Sequence, residues 1–245
     1  MSTTPFVEQS AESMEQGEAK NGQDAGFVQQ AFKKIAPRYV LTNHVLSLGI
    51  DVWWRKVTAE RVVRRVPKIV LDLATGSGDL AAAIQRSLPE AVVVGADFSQ
   101  AMLEEARRRG LKRLMVADAM NLPVADASVD VVTVAFGLRN MSSWAGALRE
   151  MSRVLRPGGA LFVLDFSLPS SALVRSTHLL YLRHVMPRVA GLITGERDAY
   201  EYLCSSIEKF PHGEQMCALM RANGFKTATA RPLTFGAASL YEAEK

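Results

Sequence analysis

Between Val70 and Leu80 the chain reads Val-Leu-Asp-Leu-Ala-Thr-Gly-Ser-Gly-Asp-Leu. The first residues carry the apolar run of a buried strand, and the two glycines let the backbone bend sharply into a helix. A second strand pattern, Ala91–Ala96, follows and ends in Asp97. A strand, a glycine bend, a helix and another strand commit the chain to parallel pairing through a helical crossover. A bend without side chains lets a ligand approach the backbone, and an acid at the end of the next strand can accept from ribose hydroxyls. The segment therefore points to an adenosine-containing cofactor.

Two cofactors compete for it. Gly76, Gly78 and Ala81 satisfy a loose G-x-G-x-x-A pattern, so a nicotinamide dinucleotide is one candidate. Its diphosphate would sit at the helix N-terminus, where backbone N–H groups and the helix dipole favour an anion. Asp79 stands there instead and would repel phosphate. S-adenosylmethionine (SAM) carries a sulfonium and an ammonium, which a carboxylate suits. Asp72, Thr75, Gly76, Ser77, Gly78 and Asp79 together favour SAM, and Asp79 is counted among the catalytic candidates. The bland alternative is a ligand-free turn in which Asp79 merely starts a helix.

The rest of the chain is consistent with one α/β domain. Its 245 residues are 48% hydrophobic, with a formal net charge of +4. That charge suits an anionic membrane surface as well as nucleic acid, and the basic clusters Arg61–Lys68 and Arg107–Arg113 read as solvated helix faces. Nucleic acid is not the expected partner. Cys204 and Cys217 lack metal-ligand spacing, so no metal site is expected and reduced thiols in a cytoplasmic protein are the simplest reading. Residues 1–25 are polar and read as a disordered tail rather than a signal peptide. No apolar run is long enough to span a bilayer.

From residue 26 to 66 the pattern is helical, broken at Pro37 and Gly49, and reads as a lid. Strands at Ile69–Ala74, Ala91–Ala96, Arg113–Val116, Val129–Ala135 and Ala160–Asp165 then alternate with helices at Asp79–Ser87, Gln100–Arg109 and Ser142–Leu155. That rhythm predicts a doubly wound, mostly parallel, seven-stranded sheet covered on both faces. Arg156-Pro157-Gly158-Gly159 is expected to stop one helix and turn the chain into the next strand. Residues 168–212 form a helical insertion, the expected substrate cap. A helix at Glu214–Asn223 and two strands, Lys226–Arg231 and Ala237–Ala243, close the sheet as an antiparallel hairpin.

Ligands of such sheets bind at the carboxyl ends of the strands. Asp118-Ala119 follows the third strand and is placed to meet adenine; Phe98, Met102 and Ala135 complete the expected cofactor contacts. Phe136-Gly137-Leu138-Arg139-Asn140 follows the fourth strand and faces the transferred group. It offers a cation and an amide rather than the Pro-Pro pattern of many nitrogen methyltransferases. Arg139 and Asn140 therefore read as catalytic, holding a phenolate while a ring carbon is alkylated.

With these residues in view, the chain resembles the ubiquinone/menaquinone biosynthesis C-methyltransferase family. The match is carried by Phe32-x-x-Ile35-Ala36-x-Arg38-Tyr39, Asn43, Leu46-Ser47-x-Gly49, Trp54-Arg55, the glycine bend, Phe136–Asn140, Leu155–Gly159, Tyr202-Leu203-x-x-Ser206-Ile207, Phe210-Pro211 and Leu233-Thr234-x-Gly236. The resemblance implies methyl transfer from SAM to a ring carbon of a polyprenylated quinol. It leaves open a benzoquinol or a naphthoquinol acceptor, prenyl length and oligomeric state, and a homodimer is compatible with it. Ser77 stands for the family's cofactor-binding threonine, and Ala135 for a serine that some members carry. Val40, Asp51 and His212 depart from the usual residues.

A lipid substrate implies transient contact with a membrane surface, peripheral on its inner face. The basic, amphipathic stretch from Leu173 to Ile193 suits that contact or a prenyl channel. Tyr39, Asn43, Trp54 and His184 are the expected substrate-binding residues, and His178 and His184 the candidate bases.

Overall fold

The structure, a computed structural model, describes Ser47, residues 49–188 and residues 197–245. The expected tail, most of the lid, Tyr39 and Asn43 lie outside the described residues.

The first described helix, α1 (Ile50–Val63), begins after Gly49, whose φ of 76° breaks the chain there. β1 (Ile69–Leu73), α2 (Asp79–Ser87), β2 (Val92–Asp97), α3 (Gln100–Arg108), β3 (Leu114–Val116), β4 (Val129–Ala135), α4 (Trp144–Val154) and β5 (Leu155–Phe166) follow. Beyond them come α5 (Ala172–Leu180), α6 (Arg197–Lys209), α7 (Glu214–Ala222), β6 (Thr227–Leu233) and β7 (Ala238–Glu244). The seven strands run in the order β3-β2-β1-β4-β5-β7-β6. β1 to β5 pair in parallel, and β7 is antiparallel to both β5 and β6. The order reverses between β1 and β4, so the crevice that such sheets use for ligands opens there.

Successive strand residues feed opposite layers, because side chains alternate across a sheet. Leu161 and Val163 pack into one core with Leu148 and Met151 of α4 and Met216 and Met220 of α7. Phe162 and Leu164 point the other way, among Trp54 and Val62 of α1, Leu80 and Ile84 of α2, and Ala106 of α3. Burying each such side chain stabilises the fold by about 1.5–3 kcal/mol. Both faces are covered, which is why the central strands read as continuous apolar runs.

Three details differ from the sequence expectation. The Pro-Gly-Gly segment is not a separate turn: α4 ends at Val154 and β5 begins at once. The register jumps from Val129↔Leu155 to Val131↔Ala160, so Arg156–Gly159 bulges out of the ladder. Pro157 has no N–H to offer there, and Gly158 takes φ 76°. β6 runs on through Pro232 to Leu233, tolerated because β6 is an edge strand. Finally, α5 passes into a wider π-helical turn at Tyr181–Val185, just ahead of Pro187. Leu182 and Met186 bury against Cys204 and Ile207 of α6, a small separate cluster. Leu173, Leu180 and Val185 stay exposed.

Candidate active site

The glycine bend leaves β1 through Ala74 (φ 49°), Gly76 (φ 57°) and Gly78 (φ 81°). A side chain on Gly78 would meet Leu111 Cδ1 at 2.1 Å. The bend is laced from within. The Gly78 N–H donates to Thr75 O at 2.8 Å. Asp72, wholly buried, accepts from the hydroxyls of Thr75, at 2.6 Å, and of Thr133. Burial pushes its carboxyl up to about 6, against the pull of those two hydroxyls.

Asp97 ties the end of β2 to the bend: Oδ2 accepts from the Gly76 N–H and Oδ1 from the Ser99 N–H, both at 2.9 Å. Burial raises its pKa, partly offset by these N–H groups. Asp79 opens α2 and accepts from Ser77 Oγ at 2.7 Å and from Arg109 Nη2 at 2.7 Å. Burial alone would raise its pKa, but the Ser77 and Arg109 hydrogen bonds and the charges of Arg55 and Arg109 outweigh it, so Asp79 stays ionised.

On the far side, Phe136 follows β4, also in the left-handed region at φ 60°. Gly137 then passes so close to the bend that a side chain there would lie 2.4 Å from Ala74 Cβ. Strained residues thus face each other across the strand order reversal, and such strain concentrates at functional sites. A short 3-10 turn, Leu138–Asn140, follows.

These pieces, with α1, line one open cleft. Of the residues expected from sequence, Asp72, Thr75, Gly76, Ser77, Asp79, Asp97, Phe98, Met102, Ala135 and Asn140 line it. Gly78 shapes it without lining it. Asp118 and Ala119 lie beyond it: Asp118 is exposed and accepts from the Met120 N–H at 2.9 Å within its own turn. His184 is exposed and does not reach the cleft. Trp54 is 4% exposed; its Nε1 donates to Thr234 Oγ1 at 2.9 Å and its ring packs on Phe136 and Phe166. It is a core residue supporting the cleft wall.

Arg139 departs most from expectation. Its guanidinium is 3% exposed and donates to Asp165 Oδ1 at 2.8 Å and to Phe136 O at 2.6 Å. It also lies 5.1 Å from the centroid of the Phe166 ring. Its charge is neutralised beneath the turn, so Arg139 positions Phe136–Asn140 while Asn140 lines the cleft. Sequence reasoning placed a cation after β4 but had no means of finding the acid, 26 residues away on β5. It also left out Arg55, Ala74, Leu80 and Ser99 as lining residues. The i, i+4 spacing of Asp51 and Arg55 signals an ion pair on one helix, which the structure has, but not where that helix docks.

Among the described residues no group of three or more His, Cys, Asp or Glu side chains could hold a metal. The cleft offers carboxylates for ribose and a cationic centre, and one amide beside them.

The model of the ubiE/COQ5 methyltransferase family matches residues 15–245. A demethylmenaquinone methyltransferase of Deinococcus radiodurans is 45% identical over 229 residues, covering 91% of this chain and 95% of that protein. One of Thermus thermophilus is 44% identical over 219 residues, covering 87% and 99%. A ubiquinone/menaquinone biosynthesis C-methyltransferase of Syntrophotalea carbinolica is 41% identical, covering 86% and 90%. Among solved structures, a SAM-dependent methyltransferase of Thermotoga maritima superposes with a TM-score of 0.61 at 18% identity, covering 89% of this chain and 99% of that one. That likeness speaks for the fold. On the sequence match, which runs through the glycine bend and the Phe136–Asn140 turn to the last strand, the chain belongs to the ubiE/COQ5 methyltransferase family.

Proposed function

We propose that the protein transfers a methyl group from SAM to a ring carbon of a polyprenylated quinol. One observation carries this reading: a carboxylate-lined cleft at a glycine bend runs directly to an Asn-bearing turn at the end of β4. Asp97 would accept from the ribose hydroxyls, and Asp72 and Asp79 would favour the cationic end of the donor. When bound, the donor supplies an electrophilic methyl on sulfur. The chain itself holds the acceptor's oxygen near the Asn140 amide, where a developing phenolate gains a hydrogen bond, and positions the ring carbon for in-line attack.

The names of the Deinococcus and Thermus relatives favour a demethylated naphthoquinol as acceptor. A lipid acceptor also agrees with the exposed apolar side chains on the cap, Leu173, Leu180 and Val185, which would lie against a bilayer or the prenyl chain. No helix among the described residues is long and apolar enough to cross a membrane, so the contact would be peripheral. The test is transfer of isotopically labelled methyl from SAM to reduced demethylmenaquinone and to a demethylated benzoquinol, with products identified by mass. Label on a naphthoquinol ring carbon is the expected result. Label on oxygen, on neither quinol, or no transfer from SAM would overturn the reading.

A further inference from the structure

Among the described residues, three carboxylates line the cleft, those of Asp72, Asp79 and Asp97, and one cationic side chain, Arg55. Arg55 comes from α1, outside the strand–helix units that build the rest of the site. Its guanidinium lies 5.0 Å from the centroid of the Phe136 ring and pairs with Asp51, one turn back on the same helix. Asp51 is 2% exposed and also accepts from Ser47 Oγ at 2.6 Å, so the acid that aims the guanidinium is itself held. The pair engages Nη1, and the guanidinium, which carries further donors, belongs to a residue that lines the cleft.

SAM ends in both an ammonium and a carboxylate. The three acids suit the ammonium and the sulfonium, and the same field repels the carboxylate. Three donors of the bend are already engaged: the Gly76 N–H by Asp97, the Gly78 N–H by Thr75 O, and the Ser77 hydroxyl by Asp79. A carboxylate entering this cleft needs a cation, and Arg55 is the one provided.

We propose that Arg55 binds the α-carboxylate of the cofactor's methionyl end, with Asp51 orienting it. The assignment rests on the SAM reading above. It makes α1 part of the binding site: the contact couples the segment before β1 to the occupied cleft, and discriminates the intact cofactor from analogues lacking the carboxylate.

The test is calorimetric binding of S-adenosylhomocysteine and of S-adenosyl-3-thiopropylamine, the same molecule without the carboxylate, to the wild type, Arg55→Gln and Arg55→Lys. The wild type is expected to prefer S-adenosylhomocysteine by about 10- to 100-fold, the range of a charge-assisted hydrogen bond. Arg55→Gln should lose that preference while binding the amine analogue within about threefold of the wild type, which also reports an intact fold. Arg55→Lys should recover part of it. The proposal falls if Arg55→Gln keeps the preference, or if both ligands weaken equally, as a purely structural role requires. If the wild type binds neither ligand, the SAM reading itself falls and takes this assignment with it.

Discussion

Arg139 and Asp165 form an ion pair at 2.8 Å between the turn after β4 and the end of β5, with side chains 3% and 0% exposed. The Asp165 carboxylate also accepts from the Phe166 N–H at 2.9 Å, so the pair stitches the turn to the strand that backs it. Removing one partner of a buried pair leaves the other charge stranded, at a cost of about 3–5 kcal/mol. Arg139→Ala and Asp165→Ala should each lower urea stability by that amount, and Arg139→Met with Asp165→Leu should recover much of it. Turnover should fall in all three, because the Asn140 turn loses its anchor. Arg139→Ala with undiminished stability and lost turnover would instead mean that the guanidinium acts on the substrate.

The buried Asp72 makes stability depend on pH in an identifiable direction. Its carboxyl is raised from the ordinary 3.8 to about 6, so the folded state holds the proton more tightly than the unfolded chain. The associated stabilisation is fully present below the unfolded pKa and is lost as pH rises through the folded one. Relative to Asp72→Asn, the wild type should lose on the order of 2–3 kcal/mol between about pH 3.5 and about pH 7. Parallel stability curves for the two proteins over that window would refute the assignment.

Gly137 is fixed by proximity, not by φ. A methyl there lies 2.4 Å from Ala74 Cβ, with no flexible side chain to give way. Gly137→Ala should push the β4 turn off the glycine bend and cost about 1–3 kcal/mol, as overpacking does. Cofactor affinity should fall as well, since the cleft lies between the two displaced segments; a thermal melt and a titration with S-adenosylhomocysteine check both.

Phe235 is 88% exposed and held at φ 57°, next to Thr234 at φ 45°. A left-handed conformation costs a residue with a side chain about 1–2 kcal/mol, and an exposed ring offsets little of that. Phe235→Gly should therefore raise the melting temperature, by relief of about 1 kcal/mol after the entropy of glycine is counted. A lower melting temperature would show that the ring packs against something in solution.

The doubly wound sheet was legible because its signals are local. Apolar runs of strand length, helices of crossover length and glycines at the bend each occupy a few consecutive residues, and the parallel topology follows from their order. The glycine-bend side of the cleft was legible for the same reason: Asp72 to Asp79 and Asp97 to Met102 are short segments placed by the strand ends that carry them. Bulges were less so. The Arg156–Gly159 segment has the residues of a helix stop, and only the flanking pairs of Leu155 and Ala160 with β4, and hydrogen bonds to Lys245 just past β7, carry it within a strand.

What the chain alone determined is which chemistry is present: carboxylates at a glycine bend, and an amide and a guanidinium after the fourth strand. Tertiary structure decided which of those groups remain available. Arg139 and Arg55 are both arginines in suggestive positions, yet packing sends one beneath the turn to neutralise Asp165 and brings the other into the cleft from a separate helix. An ionised group is not buried unpaired, so its role is set by the charges it meets in space. Arg55 meets Asp51 on its own helix, whereas Arg139 meets Asp165 only when the sheet brings β4 and β5 together.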